Sequence, residues 1–283
     1  MFGKLLLLGT SVLISSSAVL AASNHATVSD EVIAKQRETL AIATKGKGYG
    51  PQSPRDIDAH EGANIRAFGP APAVKRMTLC DIHFHENAEH KGGEFTTYAG
   101  NGDGHGYGTG FKYDKKLSDA ELAPIDMTVG KSEHGDLQPG DTIEIHFVHS
   151  TAQATLGSGL GTCLSKTIGN PQLRVEAVIG VLVSEGGADF QKMASIRKSG
   201  GLNQVPQLPN NLGTPVVYNG STTGPGYNEK GSPFQVTWSV RPKVVKLNIA
   251  SVDAWLKDNP FNEDHAHGVR NLVTNQNLLS KIN

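Results

Sequence analysis

The chain has 283 residues, with 26 basic and 27 acidic side chains and a formal charge of −1. That balance argues against nucleic acid or an anionic membrane surface as a partner and leaves a small-molecule substrate open. The length is enough for one substantial hydrophobic core.

The first residues read as a targeting segment. Lys4 supplies a positive start, Leu5 to Leu8 open an apolar stretch, and Val19-Leu20-Ala21 close it with small residues of the kind a signal peptidase reads. Cleavage is expected after Ala21, with Ala22 as the second choice. Ser11 and Ser15 to Ser17 interrupt the stretch, which is short for a bilayer anchor. Residues 1–21 are therefore assigned to a signal peptide, and the chain to an exported, periplasmic or secreted location without membrane contact after cleavage. Removing Lys4 with the leader takes the formal charge from −1 to −2.

Residues 22–45 follow as an N-terminal arm. Ser29 to Thr44 predict a helix, with Ser29 as cap and Val32, Ile33, Leu40 and Ala43 on one side. The arm has two candidate seats, its own core or a second subunit of a homo-oligomer. Residues 46–283 then read as one mainly β domain entered through a turn-rich stretch from Gly46 to Pro54. Gly100 to Gly110 alternates glycine with other residues. It lacks the lysine and following helix of a phosphate loop, so it is expected to be a surface insertion. Strands are predicted at Thr142 to His149, Arg174 to Val183 and Phe234 to Leu247, all rich in Val, Ile, Thr and aromatics. Short helices are expected at Ala188 to Lys198 and at Val252 to Lys257, the latter capped by Ser251.

Export sets the reading of the two cysteines. In an oxidising compartment Cys80 and Cys163 are expected to form one disulfide. The alternative is a metal-ligating cysteine. It is disfavoured because Cys80 stands three residues before His83 and would face away from it along a regular strand.

The chemistry concentrates in two histidine strings, His83-Phe84-His85 and Glu144-Ile145-His146-Phe147-Val148-His149. In a strand, residues i and i+2 share a face, so His83 and His85 project together, and a neighbouring strand could add His146. Three neutral imidazoles leave one tetrahedral position open on zinc, as in catalytic rather than structural sites. The residues thus point to an enzyme with one Zn2+ per chain that makes hydroxide from water; ligand type equally admits cobalt or cadmium. Metal-bound imidazoles commonly donate their second N–H to an acceptor, and Asp81 and Glu144 each stand two residues before a candidate ligand, on its face. His149 and His90 read as buried, hydrogen-bonded structural histidines. His25, His265 and His267 read as surface or terminal residues. Glu89, beside His90, is open to three roles: ligand, base or orienter of a hydroxyl.

At these residues the chain resembles the carbonic anhydrases. His83-Phe84-His85-Glu86-Asn87-Ala88-Glu89-His90 is similar to the alpha-class pattern H-F-H-x-x-S-E-H, and Glu144 to His149 is similar to E-x-H-x-V-H. Gln52 to Asp58 resembles Q-S-P-x-D-I-D, Ala177 to Val181 the A-V-x-G strand, Tyr218 to Thr223 the Y-x-G-S-L-T-T string without its leucine, and Val236-Thr237-Trp238 V-T-W. The long insertion between His90 and Glu144 and the Gly-Ser-Thr-Thr-Gly-Pro string are closer to the delta class.

The resemblance implies one large twisted, mostly antiparallel sheet with a few peripheral short helices. It implies reversible hydration of carbon dioxide to bicarbonate by metal-bound hydroxide, with His83, His85 and His146 on zinc. Thr222 would orient the nucleophile, with Thr223 as the fallback register, and Glu89 would hold the threonine's proton. Val148, Val178, Val236 and Trp238 would form the apolar wall for carbon dioxide. The proton-shuttle histidine has no clear counterpart; His60 and His105 are the candidates. Two rivals stand beside this reading. His83-x-His85-x-x-x-Glu89 also fits a cupin string with Glu89 as a fourth ligand to iron or manganese, although Met77 stands where a cupin's first glycine would be. The other rival is a non-catalytic exported zinc-binding protein.

Overall fold

A computed structural model of the chain describes residues 27–47, 53–66, 69–221, 228–232 and 234–283. The expected signal peptide, Gln52, Thr222 and Thr223 lie outside the described residues. Among those described, the strands in chain order are β1 (Thr78–Glu86), β2 (Thr97–Asn101), β3 (Thr109–Lys112), β4 (Val129–Ser132), β5 (Gly135–Leu137), β6 (Thr142–Ser150), β7 (Leu173–Val183), β8 (Arg197–Ser199), β9 (Leu202–Gln204), β10 (Val216–Ser221), β11 (Gln235–Val240) and β12 (Val245–Asn248). The helices are α1 (Asp30–Thr44), α2 (Phe190–Met193) and α3 (Ile249–Lys257).

The main sheet runs β1-β6-β7-β11-β10, with β12 also on β7. The pairs β1–β6, β6–β7 and β10–β11 are antiparallel, whereas β11 and β12 lie parallel to β7. The sheet is thus mostly antiparallel but mixed. The single strand expected from Phe234 to Leu247 is two strands. Val240 pairs with Ala177 and Val245 with Gly180, so the chain from Arg241 to Val244 holds two residues more than β7 offers. Pro242, which has no N–H for a ladder, falls inside that break.

Both faces of the sheet are covered, so every residue of β6 is buried. One face presents Ile82, Phe84, Ile143, Ile145, Phe147, Val178 and Leu182 to Phe190 of α2 and to Val252 and Trp255 of α3. Burying each of these large side chains stabilises by about 1.5–3 kcal/mol. The helix α3 starts three residues before the expected point, because Asn248, not Ser251, caps it by accepting from Ser251 N–H. Ser251 Oγ instead accepts from Phe190 N–H, which ties α2 to α3. The second short helix spans only α2, less than the expected Ala188 to Lys198.

The opposite face carries Cys80, Val148, Val175, Ala177, Ile179, Val236 and Trp238. Cys80 and Cys163 are disulfide-bonded across 83 residues of sequence. Cys80 does not face away from His83 as a regular strand would have it. A bulge sets Cys80 and Asp81 together opposite Val148, which breaks the two-residue period and brings Cys80 onto the His83 side.

The expected insertion from Gly100 to Gly110 is the tip of the β2–β3 hairpin, its turn between Asn101 and Thr109, and two other segments close on it. Gly106 (φ +117°) lets the C-terminal backbone pass; a Cβ there would lie 2.6 Å from the Val269 carbonyl oxygen. The N-terminal arm seats on its own chain. Gln36 donates to Gly104 O, Arg37 donates to Leu272 O, and Leu40 packs on Val273 and Leu279. Arm and hairpin together press the segment from His265 to Val273 against the free edge of β1. There His267 N–H donates to Phe84 O and Glu86 N–H to His267 O.

The cross-link yields a first prediction. Replacing Cys80 and Cys163 together by serine should lower unfolding stability by about 4 kcal/mol in the chain-entropy estimate for so long a loop. Denaturant titration of the two proteins measures the difference, and equal midpoints would show that the loop is held by its other contacts alone.

Candidate metal centre

Antiparallel register places His83 directly opposite His146, with His85 one step along the same face of β1. The three rings lie 4.7–5.2 Å apart by centroid. His83 Nε2 and His146 Nδ1 approach to 3.3 Å, and one donor nitrogen from each of the three rings lies within 4.8 Å of the others. Each imidazole is tied by its remaining nitrogen. His83 Nδ1 donates to Asp81 Oδ2 at 2.7 Å, His85 Nδ1 to Gly268 O at 2.8 Å, and His146 Nε2 to Glu144 Oε1 at 2.8 Å. These ties fix the tautomers so that lone pairs point at the shared centre. Both carboxylates expected behind the histidines are therefore in place. Residues this close, so tied, fit a dication with a donor set typical of zinc.

Protonation follows from burial and neighbours. Burial, then the neighbouring His146, His83 and His267, drive His85 well below the usual imidazole range. Burial also lowers His146, although Glu144 opposes it. Burial pushes His83 down too, but the charge and hydrogen bond of Asp81, helped by Glu263 and Glu89, outweigh it and the ring titrates above its ordinary value. Two of the three rings are thus held in the neutral, ligating form.

Behind His146 the site continues as a buried relay. Glu144 Oε1 also accepts from His90 Nδ1 at 2.7 Å, and His90 N–H donates to Glu144 Oε2 at 3.1 Å. Burial disfavours the Glu144 carboxylate, but the charge of His90 and the hydrogen bonds from both histidines outweigh it and hold it ionised. The Tyr218 hydroxyl lies 2.6 Å from His90 Nε2 and 2.7 Å from Ser53 Oγ, within hydrogen-bond distance of both. His90 is thus the structural histidine expected. His149 is as well: it is buried and donates Nδ1–H to Phe147 O.

Glu89 is buried; its Oε1 accepts from Arg270 N–H at 3.0 Å, and its Oε2 has no hydrogen-bond partner among the described residues. It gathers with Glu144 and His146 rather than with the three-histidine donor set, so the fourth ligand that a cupin site needs is not supplied. Val148, Val236 and Trp238 lie on the histidine face, and the Trp238 ring sits 5.0 Å from His146. Val178 does not. It pairs with Ile145 and points into the opposite core, because Ala177 is the residue that faces His146. His60 and His105 are exposed, and neither ring meets the triad.

Three residues with roles here escaped the sequence reading. Gly268 orients His85 through its carbonyl, Arg270 holds Glu89 through its amide, and the His267 ring lies 5.7 Å from His83. The first two act through backbone atoms, which leave no side-chain signature. His267 reads as terminal until the strap is seen to pair beside His85.

An imidazole triad with two rings buried and oriented second nitrogens, carried on adjacent strands of a mixed sheet, is the centre of a carbonic anhydrase. The family model for delta carbonic anhydrase matches residues 74–251, and the chain belongs to that family. Its reaction is accordingly the hydration of carbon dioxide. Similar solved structures include the alpha-carbonic anhydrase of Thermovibrio ammonificans in complex with the inhibitor sulfanilamide, at 19% identity over 82% of this chain and 87% of that one, TM-score 0.27. Others are the Photobacterium profundum alpha-carbonic anhydrase, at 17% identity over 89% and 96%, TM-score 0.29, and a hyperthermostable carbonic anhydrase from an active hydrothermal vent chimney, at 19% identity over 84% and 89%, TM-score 0.28. No curated protein matches the chain.

His149 gives a prediction on acid stability. Burial pulls its pKa down to about 4, against an ordinary value near 6.5. The folded state therefore binds fewer protons between these values, so the neutral ring contributes stability that is present above pH 6.5 and lost as pH falls toward 4. The contribution is on the order of 3 kcal/mol. Unfolding of metal-free protein across this window should be less steeply acid-dependent in His149→Gln than in the native chain; identical slopes would refute the assignment.

Proposed function

We propose that the chain hydrates carbon dioxide with one zinc ion held by His83 Nε2, His85 Nε2 and His146 Nδ1. The observation that carries this is the convergence of three donor nitrogens within 4.8 Å, each with its ring partner nitrogen tied away. Bound zinc supplies acidity, lowering the pKa of a coordinated water from 15.7 to about 7.

The chain's own groups do the rest. Asp81, Gly268 O and Glu144 keep the outer N–H protons and so keep the inner lone pairs free. Val148, Val236 and Trp238, with Ala177 in place of Val178, offer an apolar wall where carbon dioxide can lie without competing for hydrogen bonds. Thr222 is the hydroxyl that orients the nucleophile. Glu89 Oε2, without a partner among the described residues, is the acceptor that fixes the direction of that hydroxyl, which accounts for an otherwise costly buried carboxylate oxygen.

Residues 1–21 act as a cleaved signal peptide and the enzyme works outside the cytoplasm, a reading the disulfide supports. No helix among the described residues is long and apolar enough to cross a membrane.

Two outcomes test this reading. His146→Ala should abolish zinc retention and hydration together, as measured by metal content and stopped-flow hydration; activity retained without that ring would refute it as a ligand. Thr222→Ala should keep the metal yet slow hydration on the order of 100-fold, as loss of an orienting contact does. A loss seen only in Thr223→Ala moves the role by one residue.

A further inference from the structure

A second group of imidazoles stands outside the triad. Glu263-Asp264-His265-Ala266-His267 places four metal-binding side chains in five positions. The rings of His265 and His267 are 5.5 Å apart, and His267 in turn is 5.7 Å from His83 and 6.0 Å from His85. The triad's own rings are spaced at 4.7–5.2 Å, so the spacing of the outer pair nearly repeats that of the inner set. Both outer rings are more exposed than the inner one: the His83 side chain is 16% exposed, His267 38% and His265 33%.

The outer rings also share the wiring of the inner ones. His267 Nε2 bonds Glu263 Oε2 at 2.6 Å, and His265 Nδ1 bonds Asp264 Oδ1 at 2.5 Å. A carboxylate on one ring nitrogen fixes the tautomer and raises the basicity of the other, which is the usual preparation of an imidazole for a metal. His267 Nδ1 and His265 Nε2 are the nitrogens left over, and neither has a hydrogen-bond partner among the described residues. The buried Glu263 cannot swing away to solvent, so the His267 tie is built in rather than incidental. The other histidines near the surface differ. The half-buried His134 ring is stacked on Tyr107 at 3.4 Å with a carboxylate near each nitrogen, Glu133 at 3.5 Å and Asp103 at 3.9 Å, so neither nitrogen is left over, and exposed His60 and His105 have no carboxylate on the ring among the described residues.

We propose that His265 and His267 form a second, outer site for a transition-metal dication such as zinc or copper, with two imidazole ligands and the remaining positions open to water. Two protein ligands make it weaker than a three-imidazole site, and imidazole donors select these ions over magnesium or calcium. It stands independently of the role given to the triad.

Isothermal titration of zinc chloride into the metal-free full chain tests it. The native chain should show two binding events, the second at least tenfold weaker. His265→Ala, at a half-buried position, should remove the weaker event and keep the tight one; His267→Gln should do the same. His146→Ala should remove the tight event and keep the weaker one. A single event in the native chain, or a weaker event that survives both His265→Ala and His267→Gln, overturns the outer site. A tight event that survives His146→Ala counts against the triad instead, and the weaker event still decides the outer pair.

Discussion

The structure depends on which nitrogen of each imidazole is occupied. An imidazole has two, and a ring free to flip or change tautomer is a poor ligand. Here Asp81, Glu144 and the Gly268 carbonyl each occupy one nitrogen and turn the other toward a common point. Much of the surrounding fold can be read as the support of these three acceptors. The β1–β6 register sets His83 against His146, and i−2 spacing then puts each carboxylate on its histidine's face without further adjustment.

The third acceptor is provided at longer range. Gly268 belongs to a C-terminal strap that lies outside the matched family segment, and it is held against β1 by the β2–β3 hairpin and by α1. Gly106 of the hairpin is what allows the two backbones to pass this closely. The N-terminal arm thus reaches the metal centre through two layers of backbone contact, and the same strap brings Arg270 to Glu89 and His267 to His83. One short segment orients His85 and Glu89 and carries His265 and His267.

Much of the site was legible in the sequence because strand periodicity is strict. His83, His85, His146, Asp81 and Glu144 all fell where a period of two places them, and Cys80 paired with Cys163. The same rule misled where the period breaks or the count is off by one. The bulge at Cys80 reversed its face, and Val178, chosen from a motif, proved to be one residue out of step with Ala177. The break at Arg241 to Val244 divided a strand that composition joined. Gly268 and Arg270 were invisible for a different reason. They act through carbonyl and amide, and contacts between residues 183 or 181 positions apart leave no local pattern.

The most direct measurement is anomalous diffraction at the zinc edge from crystals of the metal-loaded protein. The account predicts one full-occupancy peak about 2.0–2.1 Å from His83 Nε2, His85 Nε2 and His146 Nδ1, with solvent in the fourth position. A peak bound through the opposite ring nitrogens, a fourth ligand from Glu89, or no peak between these rings would contradict it.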